Sequence, residues 1–163
     1  MVEKLFGNRK NMLPIYEPYL DSKEIKKHLN DCIDKNWISS QGSYVKEFER
    51  KIANFHKVKF ALVTSSCTSA LHLAILSLNL NKNDEVICPA LTFISPANMI
   101  ILSGLKIKLV DVDKDTLTLN IDDLKNKISN KTKAIIIVHQ FGHSAHMNEI
   151  LKLSRKYDVK IIE

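Results

Sequence analysis

Apolar positions recur at two alternating spacings along the chain. Asp21-Ser22 can cap a helix whose apolar stripe is Ile25, Leu29, Cys32 and Ile33. Trp37 to Gly42 reads as a loop, and Ser43 as the cap of a second helix with Val45, Phe48, Ile52 and Phe55 on one face. Phe60 to Thr64 reads as a strand. A helix follows from about Thr68, with Leu71, Ala74, Ile75 and Leu78 at helical spacing. The rhythm then repeats. Glu85 to Cys88 is a short strand ended by Pro89. Ser95-Pro96 places a cap and then a proline at the first helical position. That helix carries Met99 and Ile100 and ends before Gly104. Ile107 to Val112 reads as a strand, and Asn120 as the cap of a helix containing Leu124 and Ile128. Ala134 to Val138 is a continuous apolar run, as expected of a parallel strand covered on both faces. Met147 to Tyr157 is a helix with Ile150, Leu151 and Tyr157 inward. Alternating strands and helices predict an α/β fold with a mostly parallel sheet flanked by helices in three layers. The sequence stops at Glu163, just after Val159-Lys160-Ile161-Ile162, which reads as a buried strand. Chain ends are normally polar and frayed. The expectation is therefore the front part of a larger α/β protein.

Composition changes this picture little. A hydrophobic content of 45% and a charged content of 26% are those of an ordinary soluble protein. No apolar run reaches the roughly 20 residues of a membrane helix, and Met1 to Leu5 lacks a signal-peptide core. The three cysteines, Cys32, Cys67 and Cys88, show no metal-like spacing, which suggests free thiols in a reducing cytoplasm. The net charge of +6 admits two readings, a phosphate-bearing partner or lysines spread over solvated faces. No basic stripe interleaved with aromatics appears, so nucleic acid is not expected as a partner.

The chemistry concentrates at Val63-Thr64-Ser65-Ser66-Cys67-Thr68-Ser69, where small hydroxyl residues run straight into a helix. The first amides of a helix lack internal acceptors and sit at its positive end, so such a terminus binds phosphate well. Plain capping by Ser66 or Thr68 accounts for the same residues. Only four glycines are present, and neither G-x-G-x-x-G nor G-x-x-x-x-G-K-[ST] can be written. The dinucleotide fingerprint and the P-loop are thereby excluded. A cup suited to a small phosphate monoester remains.

Ser66-Cys67-Thr68-Ser69-Ala70-Leu71-His72-Leu73-Ala74, followed by Asn83-Asp84-Glu85-Val86-Ile87-Cys88-Pro89-Ala90-Leu91-Thr92-Phe93, resembles the DegT/DnrJ/EryC1/StrS aminotransferases. Further matches are Trp37-Ile38-Ser39-Ser40-x-Gly42, Leu109-Val110-Asp111-Val112-Asp113, Lys131-Thr132-Lys133-Ala134-Ile135 and Val138-His139-x-x-Gly142. The resemblance runs from about Met12 onward, in order and spacing, and looks most like the perosamine-synthase-type members. It implies residues 1–20 as an N-terminal arm and 21–163 as an incomplete, truncated large domain of a fold type I pyridoxal-phosphate enzyme. It implies pyridoxal 5'-phosphate as cofactor, a 4-keto-6-deoxy nucleotide sugar as substrate and an amino acid, glutamate by family habit, as amino donor. A cytoplasmic homodimer acting on neither nucleic acid nor membrane is the implied setting.

The same resemblance assigns roles. Ser66, Cys67 and Thr68 match the segment that holds the cofactor phosphate. Phe93 matches the aromatic that stacks on the pyridine ring, and His139 falls near the cofactor rim. Trp37, Ser39 and Ser40 are implied to face the sugar nucleotide; a purely structural loop is the other reading. Many members carry Asn-Gly where this chain has Ser66-Cys67, a departure that leaves the backbone amides in place. Family members continue beyond the position of Glu163 with Asp-Ala-Ala-Gln. That Asp keeps the pyridine nitrogen protonated, and a Lys further on forms the Schiff base. No catalytic residue is thus expected within 1–163, and the chain alone is expected to be inactive. Two rivals accompany the aminotransferase reading: a sugar dehydratase of the same family, and a non-catalytic, cofactor-binding piece.

His139, His143 and His146 form an H-x3-H-x2-H pattern, but no Cys or carboxylate at ligand spacing completes a metal site. Asp111 and Asp113 alternate along one side of the chain. With Asp115 following, they read as solvated turn carboxylates rather than an acid/base pair.

Overall fold

The computed structural model describes residues 18–163, so the readings on Met1 to Leu5 and on most of the arm 1–20 lie outside the described residues. The chain divides into two compact units, one ending at Ala61 and the other spanning Leu62–Glu163. None of the described helices is long and apolar enough to cross a membrane.

The first unit holds two helices. Helix α1, Ser22–Asp34, is capped by Asp21, whose carboxylate accepts the Lys23 and Glu24 amides. Helix α2, Ser43–His56, begins after Gly42, so Ser43 is its first residue and not its cap. A hydrogen-bonded cluster links the helices: Lys35 Nζ lies 2.8 Å from Asp31, and the Tyr44 hydroxyl donates to Asp31 at 2.9 Å. Both partners, Lys35 first, hold the Asp31 carboxyl below its usual range. The two apolar stripes are less buried than the helical pattern predicts. Leu29, Ile33, Phe48 and Phe55 are all more than half exposed.

Phe60 to Thr64, expected as a strand, forms none. The run straddles the boundary between the units. An apolar run becomes a strand only when a neighbour offers it a ladder, and the sheet assembles without this one.

The second unit is a three-layer α/β sandwich. Its elements are α3 (Cys67–Ser77), β1 (Glu85–Pro89), α4 (Ser95–Leu102), β2 (Lys106–Val110), α5 (Ile121–Lys127), β3 (Thr132–Ile136), a 3-10 turn (Gln140–Gly142), α6 (Met147–Tyr157) and β4 (Lys160–Ile162). The strands are all parallel in the order β2-β1-β3-β4. Strand side chains alternate between faces. Val86, Cys88, Ala134 and Ile136 therefore meet Ile75 of α3 and Ile100 of α4 on one side. Ile87, Ile135 and Ile137 meet Leu124 of α5 and Ile150 of α6 on the other. Burial pushes the Cys88 thiol up to about 11, which leaves it an inert core group.

Several details differ from the sequence reading, and β3 runs over Thr132–Ile136, so Ile137 and Val138 lie past its end. Ser95 and Pro96 occupy the first two helical positions of α4 behind Ile94, so Ser95 is not the cap. Strand β2 ends at Val110, and Val112 forms only an isolated bridge with Leu119. Leu151 is 38% exposed and is not an inward residue of α6, whereas Ile150 is fully buried. Asn120 caps α5 as expected, accepting the Asp122 and Asp123 amides. Gly104, at φ +74, closes α4 in the left-handed conformation that glycine adopts at least cost.

Candidate functional site

In a parallel sheet the carboxyl ends of all strands fall on one edge, where ligands bind in open α/β folds. Strand β1 ends at Pro89, β3 is followed by Ile137, Val138 and His139, and β4 is followed by Glu163. The loops on this edge carry most of the residues singled out from the sequence.

Ser66 caps α3 in an extended conformation, and its hydroxyl accepts the Ser69 amide at 3.2 Å. Ser65 and Ser66 Oγ lie 3.3 and 3.1 Å from Ser69 Oγ. The Cys67 and Thr68 amides occupy the first turn, where a helix supplies its N–H groups with no internal acceptor. Thr68 Oγ1 lies 2.9 Å from Ser95 Oγ, a buried group at the start of α4. Since α4 starts just beyond the carboxyl end of β1, this bond brings the amino terminus of α3 to the same edge. Ser66 thus caps α3, as one of the two readings of the segment expects.

Phe93 lies in the loop between β1 and α4 and is 76% exposed. That exposure does not fit a phenylalanine packed beneath α4. Next to it, Thr92 Oγ1 is buried with no hydrogen-bond partner in the described structure. Leaving a buried hydroxyl unsatisfied costs about 1–3 kcal/mol.

His139 stands at the end of the β3 segment, its side chain about one-third exposed. The Ala145 amide donates to its Nδ1 at 3.1 Å, and its Nε2 lies 2.8 Å from Glu163 Oε1. Between them the loop makes a tight turn with Phe141 at φ +52 and Gly142 at φ +81. His143 and His146 are exposed, and among the described residues no group of three His, Cys, Asp or Glu side chains converges as a metal site would require.

The carboxylates after β2 hold backbone. Asp123 accepts the Asp111 amide at 2.7 Å, and Asp113 accepts the Asp115 and Thr116 amides at 3.0 and 2.9 Å. The Thr116 and Asp115 amides and the Thr116 hydroxyl keep the Asp113 carboxyl below its usual range. This is the turn role expected from the sequence.

Trp37, Ser39 and Ser40 belong to the first unit. The Trp37 indole donates to the Gln41 carbonyl oxygen, and Ser39 Oγ accepts the Gln41 amide at 3.2 Å. Trp37 remains 56% exposed.

Sequence reasoning did not connect Ser95, Thr92 or Glu163 to this edge. Ser95 reaches Thr68 across 27 positions and Glu163 reaches His139 across 24, and no local spacing signals either pair. The assembled donor set at Ser65 to Ser69 consists of amides and hydroxyls with no carboxylate among them. Such a set can hold a phosphate dianion through charge-assisted hydrogen bonds.

Comparison with known proteins gives one consistent family. Over 151 residues the chain is 42% identical to GDP-perosamine synthase of Escherichia coli O157:H7, covering 93% of this chain and 41% of that protein. It is 40% identical over 152 residues to GDP-perosamine synthase of Vibrio cholerae, again covering 93% and 41%. The E. coli GDP-4-keto-6-deoxy-D-mannose-3-dehydratase with bound hydrated PLP superposes with a TM-score of 0.85 at 30% identity, covering 92% of this chain and 40% of that one. The chain thus spans about two-fifths of the length of these relatives. The family model described as the DegT/DnrJ/EryC1/StrS aminotransferase family matches residues 20–163, and the chain belongs to that family.

Proposed function

We propose that this chain supplies the phosphate-holding and ring-stacking part of a pyridoxal 5'-phosphate-dependent aminotransferase. Its substrate would be a 4-keto-6-deoxy nucleotide sugar, and its amino donor an amino acid such as glutamate. The observation that carries the reading is the cup of amides and hydroxyls at Ser65 to Ser69, placed on the same sheet edge as the exposed Phe93. The donor set fits a phosphate monoester, and the unsatisfied Thr92 hydroxyl leaves a polar group beside the stacking residue.

The residues divide the work. The Cys67 and Thr68 amides and the Ser66 and Thr68 hydroxyls bind the phosphate, and the bond from Ser95 to Thr68 orients that hydroxyl. Phe93 covers a planar ring from the loop above β1. His139 borders it from β3. Trp37, Ser39 and Ser40 are assigned to the nucleotide sugar. When bound, the cofactor supplies an electron sink for carbanion chemistry.

A dehydratase is the second reading, favoured by the likeness to the E. coli 3-dehydratase. Both activities would use the same phosphate cup and stacking face.

Residues 1–163 alone should bind pyridoxal 5'-phosphate but transfer no amino group. Given the cofactor, glutamate and a 4-keto-6-deoxy nucleotide sugar, the purified chain should form no amino sugar above a protein-free control. Borohydride should fix the cofactor at no single lysine. Stoichiometric labelling of one lysine would mean that the nucleophile lies within this chain.

Phe93 offers a ranking test. An aromatic face suits a cationic pyridine ring through stacking and cation–π attraction. Phe93→Tyr and Phe93→Trp should keep cofactor binding, while Phe93→Leu should weaken it and shift the absorbance of the bound cofactor. If Leu leaves the spectrum untouched and Trp sharply lowers the melting temperature by overpacking, the stacking assignment is wrong.

A further inference from the structure

Both ring nitrogens of His139 are engaged, and their partners select one tautomer of the neutral ring. The Ala145 N–H is a donor with no alternative role, so Nδ1, at 3.1 Å, must present a lone pair. In a neutral imidazole the proton then sits on Nε2, which lies 2.8 Å from the Glu163 carboxylate. An ionised carboxylate only accepts, so the two contacts require the same tautomer. Protonating Nδ1 would set two N–H groups head to head. It would also leave the Ala145 amide without an acceptor in a residue that is 4% exposed and packed into the core against α6.

This differs from the arrangement of a carboxylate–histidine base. There the carboxylate holds one nitrogen and leaves the other free to take a proton. Here the second nitrogen is occupied by backbone, so His139 offers a ring held at both nitrogens. The holding group comes from a different strand. Glu163 follows β4 and His139 follows β3; the parallel pairing of Ile136 with Ile162 carries Glu163 to the level of Ile137, and the Glu163 side chain spans the remaining two residues to His139 at the carboxyl edge. A hydrogen bond there joins the neighbouring strand ends above the sheet, in line with the bond from the Ile137 amide to the Ile162 carbonyl at 2.8 Å.

We propose that Glu163 is a positioning residue. It locks His139 as the Nε2–H tautomer and thereby sets the imidazole ring as a rigid wall of the pocket for the phosphate-bearing cofactor ring. The proposal rests on the cofactor reading above, but its first test does not. Glu163→Leu removes the acceptor while keeping bulk. Glu163→Gln keeps a carbonyl oxygen that can accept from Nε2.

The test uses the 163-residue chain, with His139 signals assigned by their loss in His139→Gln. Long-range proton–nitrogen NMR should show the Nε2–H tautomer, with a slowly exchanging Nε2 proton, in the parent and in Glu163→Gln. In Glu163→Leu that slow exchange should be lost, with the melting temperature reported alongside. A parent His139 that is Nδ1–H, or that averages between tautomers, overturns the proposal whatever the cofactor does. Titration with pyridoxal 5'-phosphate then tests the coupling. Glu163→Leu should raise the dissociation constant about five- to tenfold, the size of one lost hydrogen bond, and Glu163→Gln should stay within about twofold of the parent. If Thr68→Ala weakens binding and Glu163→Leu does not, the positioning role is overturned and the cofactor reading stands. If neither variant alters binding, the cofactor reading falls with it.

Discussion

Truncating Ile135 to alanine is expected to lower the unfolding free energy of the second unit by about 2–5 kcal/mol. Ile135 is fully buried on β3. It stands opposite Ile87 of β1 and Ile161 of β4 in the parallel register. It shares its core cluster with Leu124 and Ile150, from the helices on that face. Alanine would leave a cavity that four elements would have to collapse together to fill. Helices packed on a sheet cannot do that without breaking other contacts. Domains of this size are stable by roughly 5–15 kcal/mol, so the loss is a large fraction of the total. Ile135→Val, which removes one methylene and keeps the branched shape, should cost only about 0.5–1.5 kcal/mol. Urea unfolding followed by far-ultraviolet circular dichroism gives both numbers. If Ile135→Ala shifts the stability by less than about 1 kcal/mol, the sheet face is not packed as described.

Thr68→Ala should raise the dissociation constant for pyridoxal 5'-phosphate by roughly ten- to a hundredfold. A hydrogen bond to a charged group contributes about 1.5–3 kcal/mol, and each factor of ten corresponds to about 1.4 kcal/mol. In the proposed cup Thr68 would have two parts, its first-turn amide and its hydroxyl, and only the hydroxyl is lost. The variant also loses the 2.9 Å bond to Ser95. Thr68→Ser restores the hydroxyl and should recover most of the affinity. Ser95→Ala leaves the Thr68 hydroxyl in place without its anchor, so its effect should lie between the two. Fluorescence titration of each variant supplies the ranking. An unchanged constant in Thr68→Ala would move the phosphate to another place on the chain.

The elements were legible wherever the signal is local. Asp21 and Asn120 cap their helices as their residue types require, because a cap bond spans only two or three residues. Ala134 to Ile136 of the apolar run lie in β3 and are covered on both faces, because a two-sided core demands apolar residues at every position, while Ile137 and Val138 continue past the end of the strand. Phe60 to Thr64 has the composition of such a strand and does not become one. Nothing within five residues says whether a ladder partner will be at hand. The stripes of α1 and α2 show the same limit, since periodicity marks a face without stating what covers it, and Phe55 on that face is 79% exposed.

The site divides along the same line. Sequence determined the donor groups at Ser65 to Ser69, because a run of hydroxyl residues entering a helix presents unpaired amides and capping oxygens wherever the helix goes. It also located Phe93 in a loop beyond Pro89, since proline ends the strand. Tertiary structure alone decided that Ser95 meets Thr68, that Glu163 meets His139, and that both pairs share one edge of the sheet. The Glu163–His139 pair follows from the parallel pairing of β4 with β3, and the Thr68–Ser95 pair from the packing of α3 and α4 on one face of the sheet. Register is set by how two apolar faces of the sheet are buried at once, a condition that involves the whole domain and leaves no mark at any single position.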